Sequence, residues 1–360
     1  MKKNAIKILT TTLLILTLAF LTACSSDDGK TENTGSETSQ GNNKVTIAAQ
    51  ATSGQVFQYL AEENGYLEEE GIEVEVVYIN NGSDAFSALS AGQVDIISTY
   101  GTGGPLMQIA NGQDFTIFGG YMVIGATPVF ALPETEYNDV QDFKGKTIAI
   151  MRGGTPDNVL RGILYNAGFD LNEDVEFLQM KKNTDVIEAV RNGQADFGAV
   201  STGFELQLKE AGLNIVMWPD EIWPDHSCCK MVANTDWLAN NEELAEKLLR
   251  AYIKAERDMK NGQAEKAVEL IVNKLDLDKP TVESFVYSEH MKYDTDPYRH
   301  SVKTMWDMMH KFDYISDTGV NIDDHINNDI YGRALKSLLD ENPEDDFYKE
   351  KWEAYESNNL

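Results

Sequence analysis

Hydroxyls, glycines and rings gather at five places along this chain, each where a short apolar run gives way to a helix-forming stretch. Residues 50–54 offer Gln50, Thr52 and Ser53 beside Gly54. Their hydroxyls and backbone N–H groups either hold a polar or anionic group or cap the helix that follows. Residues 98–105 bring Tyr100, Gly101, Thr102, Gly103, Gly104 and Pro105 together, so backbone can approach a ligand closely beside a ring and a hydroxyl. This loop has no following lysine of the phosphate-cradling type and is no nucleotide site. Gly153, Gly154, Thr155 and Pro156 again open a helix with proline near its start, a place for anion capture or for a simple turn. Ser201, Thr202, Gly203 and Glu205 echo the loop at Ser98. Glu205 suits a cationic or amine-bearing ligand and opposes an anion; as a plain surface residue it would start a helix. Trp218 and Trp223 can stack a flat ring or pack a lid, and Tyr121, after Gly119 and Gly120, joins them as a candidate. Arg152 can pair with a carboxylate or sulfonate, or sit solvated at a strand end.

His226, Cys228 and Cys229 have ligand chemistry for zinc or copper. Adjacent cysteines rarely serve one tetrahedral site; they can instead form a vicinal disulfide or be two small residues in a strand. The reading adopted is no metal and no cofactor. Catalytic patterns are missing: there is no Gly-x-Ser-x-Gly, no His-Glu-x-x-His and no dinucleotide fingerprint. The five histidines are scattered. These residues can bind; nothing in their spacing points to turnover, so the chain reads as not an enzyme.

Such loops need a scaffold to face one another. From Lys44 onward short apolar runs alternate with helical patterns: strands over 45–49, 74–79, 94–98 and 116–118, helices over 56–64, 84–90 and 105–110. That alternation implies βαβ units and a mostly parallel sheet. The pattern then repeats. Residues 84–95 and 185–196 both run from Asp to Asp through a helix and a Gly-Gln-x-Asp turn into a strand. In each, the first Asp is expected to cap the helix and the glycine to end it. Two similar α/β halves follow. After Met231 the chain turns helical, with Leu244, Leu248 and Tyr252 at four-residue spacing, and closes on an acidic tail.

The N-terminus sets the compartment. Lys2 and Lys3 precede an apolar run from Ile8 to Leu21, too short for a confident span and of secretory length. Leu21, Thr22 and Ala23 before Cys24 resemble the bacterial lipobox, in which the cysteine is lipidated. The expected order is signal peptide 1–23, then a flexible tether 24–43 of small polar residues after lipidated Cys24. An acyl anchor with a leash holds a protein at a membrane without spanning it. The formal net charge of −29 argues against nucleic acid and against a polybasic membrane patch. With three cysteines in all, no disulfide framework is available and the fold must rest on its core.

Taken in order, the lipobox, the first strand, the stretch 61–74, the turn 91–95, the strand entry 143–149 and the second Gly-Gln-x-Asp at 193–196 resemble the substrate-binding proteins of the nitrate/sulfonate/taurine class of ABC importers. These are similar in fold to the thiamine-pyrimidine synthase family. The resemblance runs from residue 45 to about 340. It implies an α/β, type II periplasmic-binding-protein fold: two α/β lobes, a hinge of two crossover strands, and a helical C-terminal third packed on lobe one. Lobe one would combine 45–127 with 232–345, and lobe two would be 128–231, with crossings near 127–131 and 228–233. Ligand would lie between the lobes, trapped by hinge closure. The implied function is the extracytoplasmic solute-binding component of an ABC importer, a monomer lipid-anchored at the outer face of the cell membrane, with the permease and its ATPase as partners. Its solute would be a small organic molecule: a thiamine-type pyrimidine, a sulfonate or taurine, or a nitrate-like ion. The aromatic candidates lean toward a flat pyrimidine. The alternatives are a pyrimidine-synthase-like enzyme, for which only two cysteines stand where that family carries a cluster, and a ligand-sensing partner of a membrane receptor.

Overall fold

A computed structural model describes residues 43–51 and 55–360. The expected signal peptide and tether, Cys24, Thr52 and Ser53 lie outside the described residues.

The first half lays down β1 (Lys44–Ala49), α1 (Val56–Glu63), α2 (Tyr66–Glu69), β2 (Glu73–Tyr78), α3 (Gly82–Ser90), β3 (Ile96–Ile97), α4 (Gly103–Ala110) and β4 (Phe115–Ile124). The second lays down β5 (Val129–Ala131), β6 (Lys146–Met151), α5 (Thr155–Asn166), β7 (Val175–Met180), α6 (Asn183–Arg191), β8 (Phe197–Ala199), α7 (Glu205–Glu210), β9 (Asn214–Met217) and α8 (Pro219–Ile222). The last third holds β10 (Cys229–Asn234), α9 (Thr235–Asn240), α10 (Glu242–Asp258), α11 (Ala264–Leu275), α12 (Lys279–Val286), β11 (Lys292–Tyr293), α13 (Arg299–Lys311), α14 (Asp329–Glu341) and α15 (Asp346–Asn359).

Two sheets result, ordered β11-β4-β10-β3-β1-β2 and β7-β6-β8-β5-β9. In each, the strands joined through helices pair in parallel, β1 with β2 and β3, and β6 with β7 and β8. The strands beside the crossings, β10 and β5, pair antiparallel. The chain leaves the first sheet after Ile124 and enters the second at Val129. It returns between Met217 and Cys229, because all of β10 pairs with β4. The return crossing therefore precedes Cys229 and does not extend to 231. At the other end the expected acidic tail is instead the helix α15, so the helical third runs past 345 to Asn359.

The sequence repeat is a structural repeat. Asp95 accepts the Thr46 N–H at 2.7 Å, and Asp196 accepts the Thr147 N–H at 2.8 Å. Each aspartate thus ties the entry of the third strand of its unit to the first strand. Gly92 and Gly193 both end their helices at positive φ, 64° and 66°, a conformation that costs glycine least. The helix starts depart from expectation. Asn81 caps α3 through the N–H groups of Ser83 and Asp84, and α6 has no side-chain cap. Asp84 and Asp185 lie inside the first turn, where a negative charge favours the helix end without capping it.

The helical third covers the first sheet. Leu248, Leu249, Tyr252 and Ile253 on α10 are buried with Phe57 and Leu60 of α1 and with Met231 of β10. Helix α15 is fastened by a buried cation: Lys351 pairs with both oxygens of Glu256 at 3.1 Å and with Asp294.

Candidate functional site

The two halves meet where α4 and α5 begin. A side chain at Gly101 would collide with Thr155, and one at Gly103 with Asn158. The glycines of the 98–105 loop thus permit a close backbone approach, and what approaches is the second half. Cys228 Sγ lies 3.5 Å from Thr155 Oγ1. Further out, Tyr314 donates to Asp157 at 2.5 Å, and Asp157 also accepts the Gly153 N–H and pairs with Arg161. These contacts hold the seam between the sheets closed.

The candidates divide into those engaged in the scaffold and those at the seam. The Gln50 N–H donates to Thr99 Oγ1 at 2.7 Å, and the Gln50 side chain donates to Asn80 O. Tyr100 donates to Ile79 O, with its ring edge-on to Phe86. Thr102 donates through N–H and hydroxyl to the Cys228 carbonyl, and Ser227 donates to Thr102. Gly154 precedes α5, which Thr155 opens. Ser201 donates its N–H to Asn183, and Thr202 donates to Ala126 O at 2.8 Å in the first crossing. Tyr121 lies in the core of the first half among Phe57 and Tyr252, with its hydroxyl at the Gln58 N–H. It is no cleft ring, because its position on β4 faces the covering helices. Trp223 packs over Gly162 of α5, where only a residue without a side chain fits beneath it; its indole serves packing. Trp218 stacks on His290 at 3.9 Å, and His290 Nδ1 meets Asp220 at 3.0 Å. Arg152 stands 5.4 Å over the Tyr314 ring.

Glu205 differs from all of these. Both its carboxylate oxygens are buried, and among the described residues no hydrogen bond of normal geometry reaches either. Burial pushes its pKa up; the N–H groups of Glu205 and Gly203 and the His290 ring pull the other way. Glu205 also acts on the buried Tyr293 hydroxyl, beside the two cysteines. An unpaired buried carboxylate costs about 1–3 kcal/mol or more, so a site that keeps one must gain from it elsewhere. It can take a ligand's N–H donors or a positive charge.

Spacing gave no signal for His290, Tyr293 or Tyr314, because each reaches the seam from far along the chain, and Asp157, beside the 153–156 candidates, shows its role only through Tyr314. Among the described residues no group of three or more His, Cys, Asp or Glu side chains could hold a metal ion, and no helix is long and apolar enough to cross a membrane.

Known proteins bear on these observations. The chain is 24% identical over 245 residues to a putative binding protein, YtlA, of Bacillus subtilis, covering 66% of this chain and 73% of that one. It is 22% identical over 281 residues to a formylaminopyrimidine-binding protein of Halalkalibacterium halodurans, covering 75% and 80%. Among solved structures, the periplasmic nitrate-binding protein NrtA of Synechocystis PCC 6803 superposes with a TM-score of 0.69 at 15% identity, over 83% of this chain and 89% of that one. The architecture is thus the periplasmic-binding-protein fold. Residues 54–266 match the NMT1/THI5-like family model, and the chain belongs to that family.

Proposed function

We propose that this chain is the solute-binding component of an ABC importer, anchored outside the cell membrane by lipid on Cys24, and that it captures a flat, amine-bearing organic molecule between its halves. It acts as a monomer, does no chemistry on the solute and hands it to a permease. The observation that carries the solute class is Glu205, a buried carboxylate without a partner at the seam. An anion such as nitrate or a sulfonate would meet repulsion there. A thiamine-type pyrimidine presents ring nitrogens and an amino group whose N–H bonds a carboxylate accepts well. His290, stacked on Trp218, and Tyr293 are the neighbouring groups that would frame the ring. The relative named for a formylaminopyrimidine supports the same class.

Thermal-shift measurement on residues 44–360 tests this with aminopyrimidines, nitrate, taurine and alkanesulfonates in parallel. A ligand at a hundred times its Kd adds about 2.7 kcal/mol. The reading requires a shift with an aminopyrimidine, unaccompanied by turnover; a shift with nitrate or a sulfonate alone overturns the assigned class. Cys24→Ser should release the chain from the membrane fraction, and its retention there would refute the lipid anchor.

A further inference from the structure

Cys228 and Cys229 are both buried free thiols, and their sulfurs lie 3.4 Å apart. The pair sits where three parts of the molecule join. Cys229 opens β10 and bridges to Gly101. Cys228 donates its N–H to Val123, and its carbonyl takes the Thr102 N–H at 2.8 Å. Its sulfur faces Thr155 of the second half and fills the space that Gly125 leaves open: a side chain there would stand 2.6 Å from it. The next residue, Lys230, is 1% exposed, and among the described residues its ammonium has no hydrogen-bond partner. It stands 5.2 Å over the Tyr298 ring, with Asp294, Asp296 and His226 as its other charged or titratable neighbours. A buried ammonium without a hydrogen-bonded partner is costly, and a thiolate on Cys228 would relieve it.

We propose that Cys228 and Cys229 form a thiol–disulfide exchange site that takes a small-molecule disulfide oxidant of the glutathione type and closes to a vicinal disulfide at the junction of the two halves. Cys228 is the attacking sulfur. The Cys229 thiol hydrogen-bonds to it and lowers its pKa, Thr155 and Lys230 act in the same sense, and burial opposes them; Cys229 is pushed the other way. The Cys228 thiolate attacks one sulfur of the oxidant, whose S–S bond breaks and whose departing thiolate takes up the proton that Cys228 lost. Cys229 then gives up its proton and attacks Cys228 Sγ, and the second oxidant thiol leaves with that proton. Two protein thiols lose two electrons and the oxidant becomes two thiols. The extracytoplasmic setting proposed above is one in which disulfides form and persist.

Closing the pair to about 2 Å must move one or both sulfurs, and the route proposed is that Cys228 Sγ turns toward Cys229 and leaves Thr155. Oxidation removes a contact between the halves and favours their separation, and the oxidant gains entry only when the halves part.

The test uses the full chain with Cys24→Ser, leaving Cys228 and Cys229 as the sole thiols. After treatment with oxidised glutathione, the protein should lose two hydrogens by mass, remain monomeric, and resist alkylation once denatured until a reductant is added. Cys229→Ser should stop at a stable glutathione adduct on Cys228. Two alkylatable thiols after treatment, or a disulfide-linked dimer, overturns the proposal. Lys230→Met should slow the reaction several-fold near neutral pH and move its pH–rate profile upward; an unchanged profile refutes the part given to Lys230. With the Lys230 chain, the rate should already level off below the ordinary thiol range, and a midpoint within that range has the same force. Small-angle scattering of the oxidised protein should show a larger radius of gyration than that of the reduced protein, and equal radii refute the effect on closure.

Discussion

Two regions of this molecule bury charge, and they do so in opposite ways. In the helical third, Lys351 lies among Glu256 and Asp294, and Glu256 also receives the N–H and hydroxyl of Thr295 and the Lys260 ammonium. Burial would lower the Lys351 pKa, but Asp294 and Glu256 outweigh it and hold it well above the usual lysine range. Asp294, burial notwithstanding, is drawn down to about 2 by Lys351 and Lys260. At the seam, no hydrogen bond among the described residues reaches the Glu205 carboxylate, and burial outweighs the N–H groups of Glu205 and Gly203 and the His290 ring in setting its direction. Paired buried charge holds structure in one arrangement. Bare buried carboxylate at a closing seam waits for something that the fold does not supply.

The largest effect expected from this contrast is on stability. Lys351→Ala takes the buried cation from Glu256 and Asp294 and leaves only Lys260, at Glu256, in its place, and such a loss costs about 3–5 kcal/mol. Chemical denaturation should show it, and a loss under 1 kcal/mol (about the worth of a surface pair) would deny the network its structural role. The acid side follows from sign. Asp294 is depressed, so its contribution is complete above the ordinary carboxylate pKa and is lost as pH falls from there through about 2.

Glu205→Gln should act the other way on the two states. Affinity for an aminopyrimidine should fall roughly 10- to 100-fold, the worth of a hydrogen bond to a charged group. The ligand-free protein should become more stable at neutral pH. Because burial raises the Glu205 pKa, its favourable share is complete below the ordinary carboxyl range and is lost as pH rises through the raised value. Ligand affinity runs oppositely and weakens as acid protonates the group. Calorimetric titration across this range should show both slopes vanish in Glu205→Gln, and their persistence would remove Glu205 from the site.

Gly101→Ala sets a methyl against Thr155. Overpacking costs about 1–3 kcal/mol, and it should fall on the closed form, read as weaker ligand binding and a lower melting temperature of the ligand-free protein. The smallest effects belong to the repeated aspartates. Asp95→Ala removes the acceptor for Thr46 and should cost about 1–2 kcal/mol. Asp196→Ala, at the more exposed Thr147, should cost less, and an inverted order would show that the two clamps are not equivalent.

Local pattern made much of this legible. The alternation of apolar runs and helical stripes yields both α/β halves, and Gly-Gln-x-Asp marks the same turn twice, because a positive-φ glycine acts over a few residues; the tie that each aspartate makes to a strand 49 residues back was not legible. The helices of the last third show in the spacing of Leu244, Leu248 and Tyr252. The candidate loops at 98–105, 153–156 and 201–205 do come to the seam. What faces what was not legible. Tyr121 and Trp223 have ring chemistry suited to a ligand, yet one lies under the covering helices and the other on Gly162. Tyr314 reaches Asp157 from the last third, and Lys351 meets Glu256 from the final helix.

The sequence by itself determined the element types, the duplication, the acidic character and the loops that carry polar groups, since propensity, period and turn chemistry act between near neighbours. Only the tertiary structure decided that the glycines of one half receive Thr155 and Asn158 of the other, that Lys351 is paired while Glu205 and Lys230 lack hydrogen-bonded partners among the described residues, and that Cys228 lies at the junction. Burial and pairing depend on residues far apart in the chain, and the cost of a buried charge is set by which of those neighbours folding brings within reach.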